Sequence, residues 1–404
     1  MAVKITRQPT KIALLGAPTS AAALSAGHEA APGALRAAGL IDRLRAIGYE
    51  VADMGDDAVQ LFQQDDESPR ARNVGRVLKS LESLKPRVEQ AIKSGALPLI
   101  LSGDCSIALA TIAGARRYFR HVGMIYMDRD ADLNIPATSP SGCVDGMVVS
   151  HIVGRGAAEL VRFWGEPPLV REPDLALFGV ARLDPAEQEV LDRTPLRRYL
   201  AADVKRLGAA AAAQTAVDRI RGVGNEFILH FDVDVIGGFA ATNYPGEGGL
   251  SLEQVREALR VFATQKNLAA IEVCGYNPAK DPDGSGAKLV IDLLAEVLGE
   301  RLEALKAGAP VAEAAPVPAE ASSAAAAPES AVPAVAAGET WSSDMLESES
   351  EAQSPDAAAE GQAEQASASS TRTSVESGEE VPAEDPPDIT SYETPEKSGD
   401  SHSE

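Results

Sequence analysis

Cysteine, long apolar runs and positive charge are all scarce in this 404-residue chain. Only three cysteines occur, an odd number in a large chain, so no disulfide framework is indicated. No apolar run reaches the roughly 18 residues that a membrane-spanning helix needs, and the N-terminus has no basic start followed by an uninterrupted apolar stretch. Acidic residues outnumber basic ones by 60 to 37, which argues against nucleic-acid binding. We therefore expect a cytoplasmic protein that binds neither membranes nor nucleic acids.

The negative charge is concentrated at the C-terminal end. Residues 310–404 contain 21 acidic residues against two basic ones, a net charge of −19 out of the chain's −23. Ala, Pro, Glu and Ser dominate this segment, so it cannot bury enough apolar surface to offset its chain entropy. We expect 309–404 to be a disordered acidic tail that keeps the protein soluble, with docking through 341–346 or regulation by phosphorylation as alternatives. Residues 1–308 are expected to form one domain with a single large core.

Short apolar runs alternate with longer helical patterns between residues 11 and 306. Apolar residues every three to four positions predict helices, as in 31–48, 73–95 and 250–265. Runs that are apolar throughout predict buried strands, and these are 11–16, 97–103, 122–128, 175–180, 226–234 and 268–275. This alternation indicates an α/β protein with a central, mainly parallel sheet and helices on both faces.

Carboxylates collect where four of the predicted strands end. In sheets of this class, ligands bind at the carboxyl ends of the strands. If the backbone after the third strand stays extended, its alternating aspartates point the same way, and their like charges require neutralisation. The sequence therefore predicts a site for two divalent metal ions that supports metal-assisted hydrolysis. The residues at the four strand ends are Asp104 and Cys105; Asp128, Asp130 and Asp132; Asp232 and Asp234; and Glu272.

Some residues near this edge also have a simpler structural explanation. Asp104 is expected to cap the following helix or support a ligand rather than bind metal itself. Capping explains one of Asp232 and Asp234 but not both. Glu272 either pairs with a neighbouring arginine or faces the substrate, and we favour the second role. His230 lies on the same side as Asp232 but deeper, and is left outside the ligand set.

Several motifs resemble those of the arginase or ureohydrolase family, which includes arginase, agmatinase and formiminoglutamase. They are LILSGDCSIALATIAG, DRDADLN, SGCVDGM, ARLDPAE, FDVDV and the segment around Glu272, in the family's order and approximate spacing. The resemblance covers nearly all of residues 11–306. It implies a three-layer α/β/α arginase-like fold, assembly into trimers or hexamers, and a dinuclear manganese site. In that family the site activates water to attack a guanidinium carbon, releasing urea from arginine or agmatine.

The resemblance also implies a ligand set, and this chain departs from it. Cys105 and Asp130 stand where the family has ligand histidines, and Asp145 replaces its proton-shuttling histidine. The added negative charge disfavours ionisation of metal-bound water, and Asp145 is a weak shuttle near pH 7 unless its pKa is strongly raised. A thiol also admits a softer metal such as zinc, whereas Cys274 is expected to be a small apolar filler. The ligands implied by position are Cys105, Asp128, Asp130, Asp132, Asp232 and Asp234.

Substrate contacts follow from the same resemblance. It implies that Asn134 and Ser141 bind an α-carboxylate, that Asp184 lies near the α-amino group, and that Glu272 contacts the guanidinium. Cys143 stands at a further contact position where the family has asparagine, and is otherwise a small filler. These residues favour an arginine-like substrate over agmatine. We therefore expect a metal-dependent hydrolase of linear C–N bonds in guanidino or amide-like substrates; the alternative is an inactive homologue with a binding or regulatory role.

Overall fold

The computed structural model describes residues 5–221 and 226–307. The predicted acidic tail and the domain boundary at 308 lie outside these residues. Within them, a single sheet has the spatial order β2-β1-β3-β8-β7-β4-β5-β6, and each neighbouring pair of strands is parallel. The strands are β1 (Lys11–Ala17), β2 (Glu50–Asp56), β3 (Leu97–Ser102), β4 (Val122–Met127), β5 (Leu175–Phe178), β6 (Arg197–Tyr199), β7 (Glu226–Asp232) and β8 (Leu268–Cys274).

Helices connect these strands. None in the described part of the chain combines the length and the apolar character needed to cross a membrane. The helices are α1 (Ala31–Ala37), α2 (Leu40–Ala46), α3 (Val74–Lys93), α4 (Ala108–Ala115), α5 (Val148–Ile152), α6 (Ala158–Val161), α7 (Pro185–Arg193), α8 (Ala201–Leu207), α9 (Ala209–Arg221), α10 (Leu252–Ala263) and α11 (Ser285–Lys306).

The two faces of the sheet bury two separate apolar clusters. Side chains alternate between the faces of a strand, so Ile12 and Leu14 of β1 join the cluster that includes α1, α2, α10 and α11. Ala13 and Leu15 join the cluster formed with α3, α4 and α5. Each face is thus covered by helices, which is why the central strands are apolar throughout. The predicted three-layer α/β/α fold with a parallel sheet is confirmed.

The edges of the sheet differ from the sequence prediction. β2 and β6 were not predicted, because an edge strand covered on fewer sides need not be apolar: β2 is mostly exposed and β6 has three residues. The helical pattern at 31–48 divides into α1 and α2, because Gly39 adopts a left-handed conformation with φ 94°. The strands that carry the predicted site, β3, β8, β7 and β4, occupy the middle of the sheet.

Candidate metal and substrate site

A cavity of about 260 Å³ opens at the carboxyl ends of the central strands. Every predicted site residue except Glu272 lines it. These residues come from loops that are far apart in sequence but follow neighbouring strands, as expected for a parallel sheet. They are Cys105, Asp128, Asp130, Asp132, Asn134, Ser141, Cys143, Asp145, Asp184, Asp232 and Asp234.

The three alternating aspartates after β4 do not lie on an extended strand. β4 ends at Met127, and the Asp128 carboxylate accepts a hydrogen bond from the Asp130 amide at 2.7 Å, which turns the chain. Asp132 then adopts a left-handed conformation with φ 50°, a conformation that aspartate tolerates better than most residues. The backbone does not stay extended here, but the turn still directs all three side chains to the cavity, as the prediction requires.

Two of the strand-end aspartates also cap short helices. Asp232 ends β7, and its Oδ1 accepts from the Asp234 amide at 2.7 Å at the start of a 3₁₀ helix. Asp104 accepts from the Ser106 amide at 3.2 Å and from the Thr19 hydroxyl at 3.0 Å. The prediction that Asp104 is a cap is confirmed, and the second Asp232 oxygen, Oδ2, accepts from the Cys105 thiol at 3.1 Å.

Acidic and sulfur atoms form two adjoining groups in the cavity. Ligand atoms of Cys105, Asp128 and Asp232 lie within 4.8 Å of one another, and so do those of Asp128, Asp130 and Asp234. The groups share Asp128, so a cation in one would be next to a cation in the other. Asp132, a predicted ligand, lines the cavity outside both groups and accepts a hydrogen bond from the Tyr126 hydroxyl.

Two arginines neutralise part of the second group. Arg182 donates from Nε and Nη2 to the two oxygens of Asp130, each at 2.5 Å. Arg129 is buried and lies 3.3 Å from Asp234 Oδ2. Paired in this way, both carboxylates have a cationic partner without any metal ion. Neither arginine was predicted, although both lie inside the quoted motifs.

The carboxyl groups nevertheless carry more negative charge than these arginines balance. Burial raises the pKa of Asp128, Asp132 and Asp234 well above the usual range, and repulsion between aspartates adds to the effect. Burial also raises the pKa of Asp130, although the Arg182 guanidinium opposes the shift. A divalent cation bound here would offset this repulsion and favour the ionised carboxylates.

Asp145 lies beside the first group. Its Oδ1 accepts from the Cys105 amide at 2.9 Å. Burial, reinforced by the charge of Asp104, raises the pKa of Asp145 to about 8. A raised pKa is what Asp145 needs in order to exchange protons near neutral pH. Its catalytic role stays a prediction.

The predicted substrate contacts form a connected polar wall. Asn134 donates from Nδ2 to Asp184 at 2.8 Å, and the Asp184 amide donates to Glu187 at 2.8 Å. Ser141 Oγ accepts from the Cys143 amide at 3.1 Å, and its hydroxyl also hydrogen-bonds to the Cys143 thiol. Glu187, which sequence reasoning missed, is the first-turn glutamate of α7 and could have been recognised from its position three residues after Asp184.

Glu272 is placed differently from the prediction. Its side chain is fully buried within β8 and does not line the cavity. Oε2 lies 2.7 Å from His230 Nδ1, the facing residue of β7. The expectation that Glu272 faces the substrate is wrong, because a mid-strand position lies below the strand end. At the strand end itself stands Gly275, where a Cβ would overlap the Asp232 carboxylate.

Comparisons with known proteins agree with this architecture. The chain matches the model of the Arginase family over residues 10–299. It is 29% identical to an arginase of Bacillus caldovelox over 300 residues, which is 72% of this chain and 99% of that protein. The crystal structure of arginase from Bacillus cereus superposes with a TM-score of 0.67 at 28% identity, covering 72% of this chain and 98% of that one. The crystal structure of formimidoylglutamase from Bacillus subtilis shares the fold, with a TM-score of 0.56 at 19% identity. This match covers 74% of this chain and 88% of that one. With the parallel sheet and the carboxylates at its edge, these matches show that the chain belongs to the arginase family of hydrolases.

Proposed function

We propose that this protein is a metal-dependent hydrolase of linear C–N bonds in guanidino or amidino substrates, with an atypical dinuclear metal site. The observation that carries the proposal is the pair of adjoining ligand groups that share Asp128. Two positions this close are suited to a pair of divalent ions, manganese by family resemblance, which when bound activate water and polarise the group it attacks.

The donor set fits such ions except for its one sulfur atom. Carboxylate oxygens suit manganese, and the raised pKa values of Asp128 and Asp234, to which neighbouring aspartates contribute, indicate a cluster that is short of positive charge. Cys105 supplies a sulfur atom instead, which favours a softer ion in the first group. The residues that would hold the ions are Cys105, Asp128, Asp130, Asp232 and Asp234, with Asp132 beside them.

The cavity wall supports an arginine-like substrate over agmatine. Arginine carries an α-carboxylate that agmatine lacks, and recognising it requires hydrogen-bond donors. The side chain of Arg182, 59% exposed, brings a guanidinium to the cavity, and the Ser141 hydroxyl lines the same wall. Asp184 offers an acceptor for an α-amino group. Asp145, next to Cys105, is positioned to hold a proton for the leaving amine.

A second function is favoured by a specific observation. Arg129 and Arg182 already pair with Asp234 and Asp130, so two of the three carboxylates of the second group have a cationic partner without metal. A chain that keeps the fold but replaces its second cation with arginines is suited to bind a small cationic or amino-acid ligand without hydrolysing it. The alternative is therefore an inactive homologue with a binding or regulatory role.

The deciding experiment measures urea release from L-arginine and agmatine by protein loaded with manganese, cobalt or zinc. The hydrolase proposal expects metal-dependent release, faster from arginine, that is abolished in Asp128→Asn because both ion positions lose a shared ligand. Asp292→Asn, on the exposed surface of α11, is the matched control and should leave the rate unchanged.

If the wild-type protein releases no urea, the triple variant Cys105→His, Asp130→His and Asp145→His separates the two functions. Activity that appears only in this variant means that the pocket is intact and that the natural chain is the inactive homologue. No urea from either protein, with arginine bound in calorimetry, leads to the same conclusion. Release by the wild type, lost in Asp128→Asn, excludes it.

A further inference from the structure

A second cluster of potential metal ligands lies beneath the cavity, on β7, on β8 and just after β3. Cys105, His230 and Cys274 each offer a ligand atom, and these atoms lie within 4.8 Å of one another. His230 and Cys274 take no part in the proposed hydrolysis. Asp232 is adjacent, since its Oδ2 lies 3.1 Å from Cys105 Sγ.

Strand register explains why these residues meet. His230 faces Glu272 and Asp232 faces Cys274 across the β7–β8 pair. Side chains two residues apart share a face of a strand, so His230 and Cys274 lie on the same side of the sheet. Cys105 follows the end of β3, the other neighbour of β8, and reaches the same side.

His230 is held as a metal-binding histidine usually is. Its Nδ1 lies 2.7 Å from the Glu272 carboxylate. Its Nε2 is fully buried and has no hydrogen-bond partner among the described residues. A buried polar atom without a partner is costly. A carboxylate on one imidazole nitrogen with the other nitrogen turned to a metal is the arrangement that fixes the tautomer and orientation of ligand histidines.

We propose that Cys105, Cys274 and His230 Nε2 bind one zinc ion beneath the carboxylate cavity. Two sulfurs and one imidazole are three of the four ligands that zinc takes, and water can fill the fourth position. Glu272 orients the imidazole, which gives that buried carboxylate a role the cavity does not provide.

The donor atoms select zinc over the hard ions of the cavity. Manganese and magnesium prefer oxygen ligands, whereas two thiolates favour zinc. All three side chains are nearly or fully buried, so the ion would be shielded from bulk solvent. The site shares Cys105 with the cavity but depends on neither hydrolysis nor substrate.

The test begins with the wild-type protein, expressed with zinc. Elemental analysis should give one zinc per chain, and X-ray absorption at the zinc edge should show two sulfur neighbours at about 2.3 Å and nitrogen or oxygen neighbours at about 2.0 Å. One sulfur neighbour would place zinc in the carboxylate group with Cys105 alone and overturn the proposal. No zinc at saturating concentration would overturn it as well. Neither measurement needs a variant that folds.

Variants then assign the ligands, with cobalt as a coloured substitute. Cys274→Ser should halve the sulfur count and reduce the thiolate-to-cobalt absorption band, and His230→Gln should weaken zinc binding in a chelator competition. Glu272→Gln should weaken it about 10- to 100-fold, because the supporting carboxylate is lost. Cys143→Ser and His151→Gln are matched controls outside the cluster and should retain both the band and the affinity. An unchanged band in Cys274→Ser with unchanged affinity in His230→Gln would refute the assignment.

The hydrolase and zinc proposals fail separately. Urea release that depends on manganese, from protein that holds no zinc on sulfur, would overturn the zinc site alone. Zinc bound by two sulfurs in a protein that releases no urea with any metal would support the zinc site and remove the hydrolase.

Discussion

Arg129 should stabilise the metal-free protein strongly and the metal-loaded protein much less. The residue is 3% exposed, its guanidinium lies 3.3 Å from Asp234, and it donates to the Tyr244 carbonyl at 2.6 Å. Replacing Arg129 with methionine leaves the carboxylate of Asp234 buried without its partner. Removing one member of a buried ion pair costs about 3–5 kcal/mol. We expect Arg129→Met to lose that much unfolding free energy in chelator at pH 8.

Urea denaturation with chelator and with saturating manganese measures both effects. A manganese ion supplies the positive charge that Arg129 provided, so the variant should bind manganese more tightly than the wild type. Saturating manganese should therefore raise the unfolding free energy of the variant by more than that of the wild type. Arg256→Met is the control, because Arg256 pairs with Glu253 on the exposed surface of α10 and such pairs contribute about 0–1 kcal/mol. If Arg129→Met loses no more stability in chelator than Arg256→Met, Arg129 does not compensate the cluster.

Three further changes test other parts of the structure. Burial lowers the pKa of His151 to about 4, below the unfolded value of about 6.5. The stability that its neutral form contributes is therefore present above pH 6.5 and is lost as the pH falls towards 4. Between denaturation experiments at pH 6.5 and pH 4, the unfolding free energy of His151→Gln should fall by about 3 kcal/mol less than that of the wild type. Gly275→Ala should weaken divalent-ion binding in calorimetry at least 10-fold and destabilise the protein by about 1–3 kcal/mol, because φ is +82° and the new Cβ meets the Asp232 carboxylate. Ser251→Ala should cost about 1 kcal/mol in thermal unfolding, because Ser251 and Gln254 form a capping box at the start of α10.

Each of these changes has a matched control. His121→Gln alters an exposed histidine and should leave the acid sensitivity in place. Gly33→Ala, in α1, meets no neighbouring atom within 4 Å, so it should be neutral or stabilising. Ser251→Thr keeps a capping hydroxyl and should retain most of the stability. Equal effects in a variant and its control would contradict the mechanism given for that residue.

The main features of the fold could be predicted because they are written in local patterns. Continuous apolar runs mark strands that are covered on both faces, and all six predicted strands occur. The edge strands β2 and β6 have no such signal, since few of their residues are buried. The division of the first long helical pattern depends on Gly39, a conformational choice that periodicity does not reveal.

The aspartates of the cavity were also predictable, because the carboxyl ends of parallel strands share one edge and charges there are visible in sequence. Their partners were not. Arg182 reaches Asp130 across 52 residues of sequence, and Glu272 meets His230 across 42. Which side chains neutralise a buried charge depends on strand order, register and depth below the strand end. The sequence by itself determined an arginase-like sheet edged with carboxylates; only the tertiary structure decided that arginines occupy part of that site, that Glu272 turns away from it, and that two cysteines and a histidine meet beneath it.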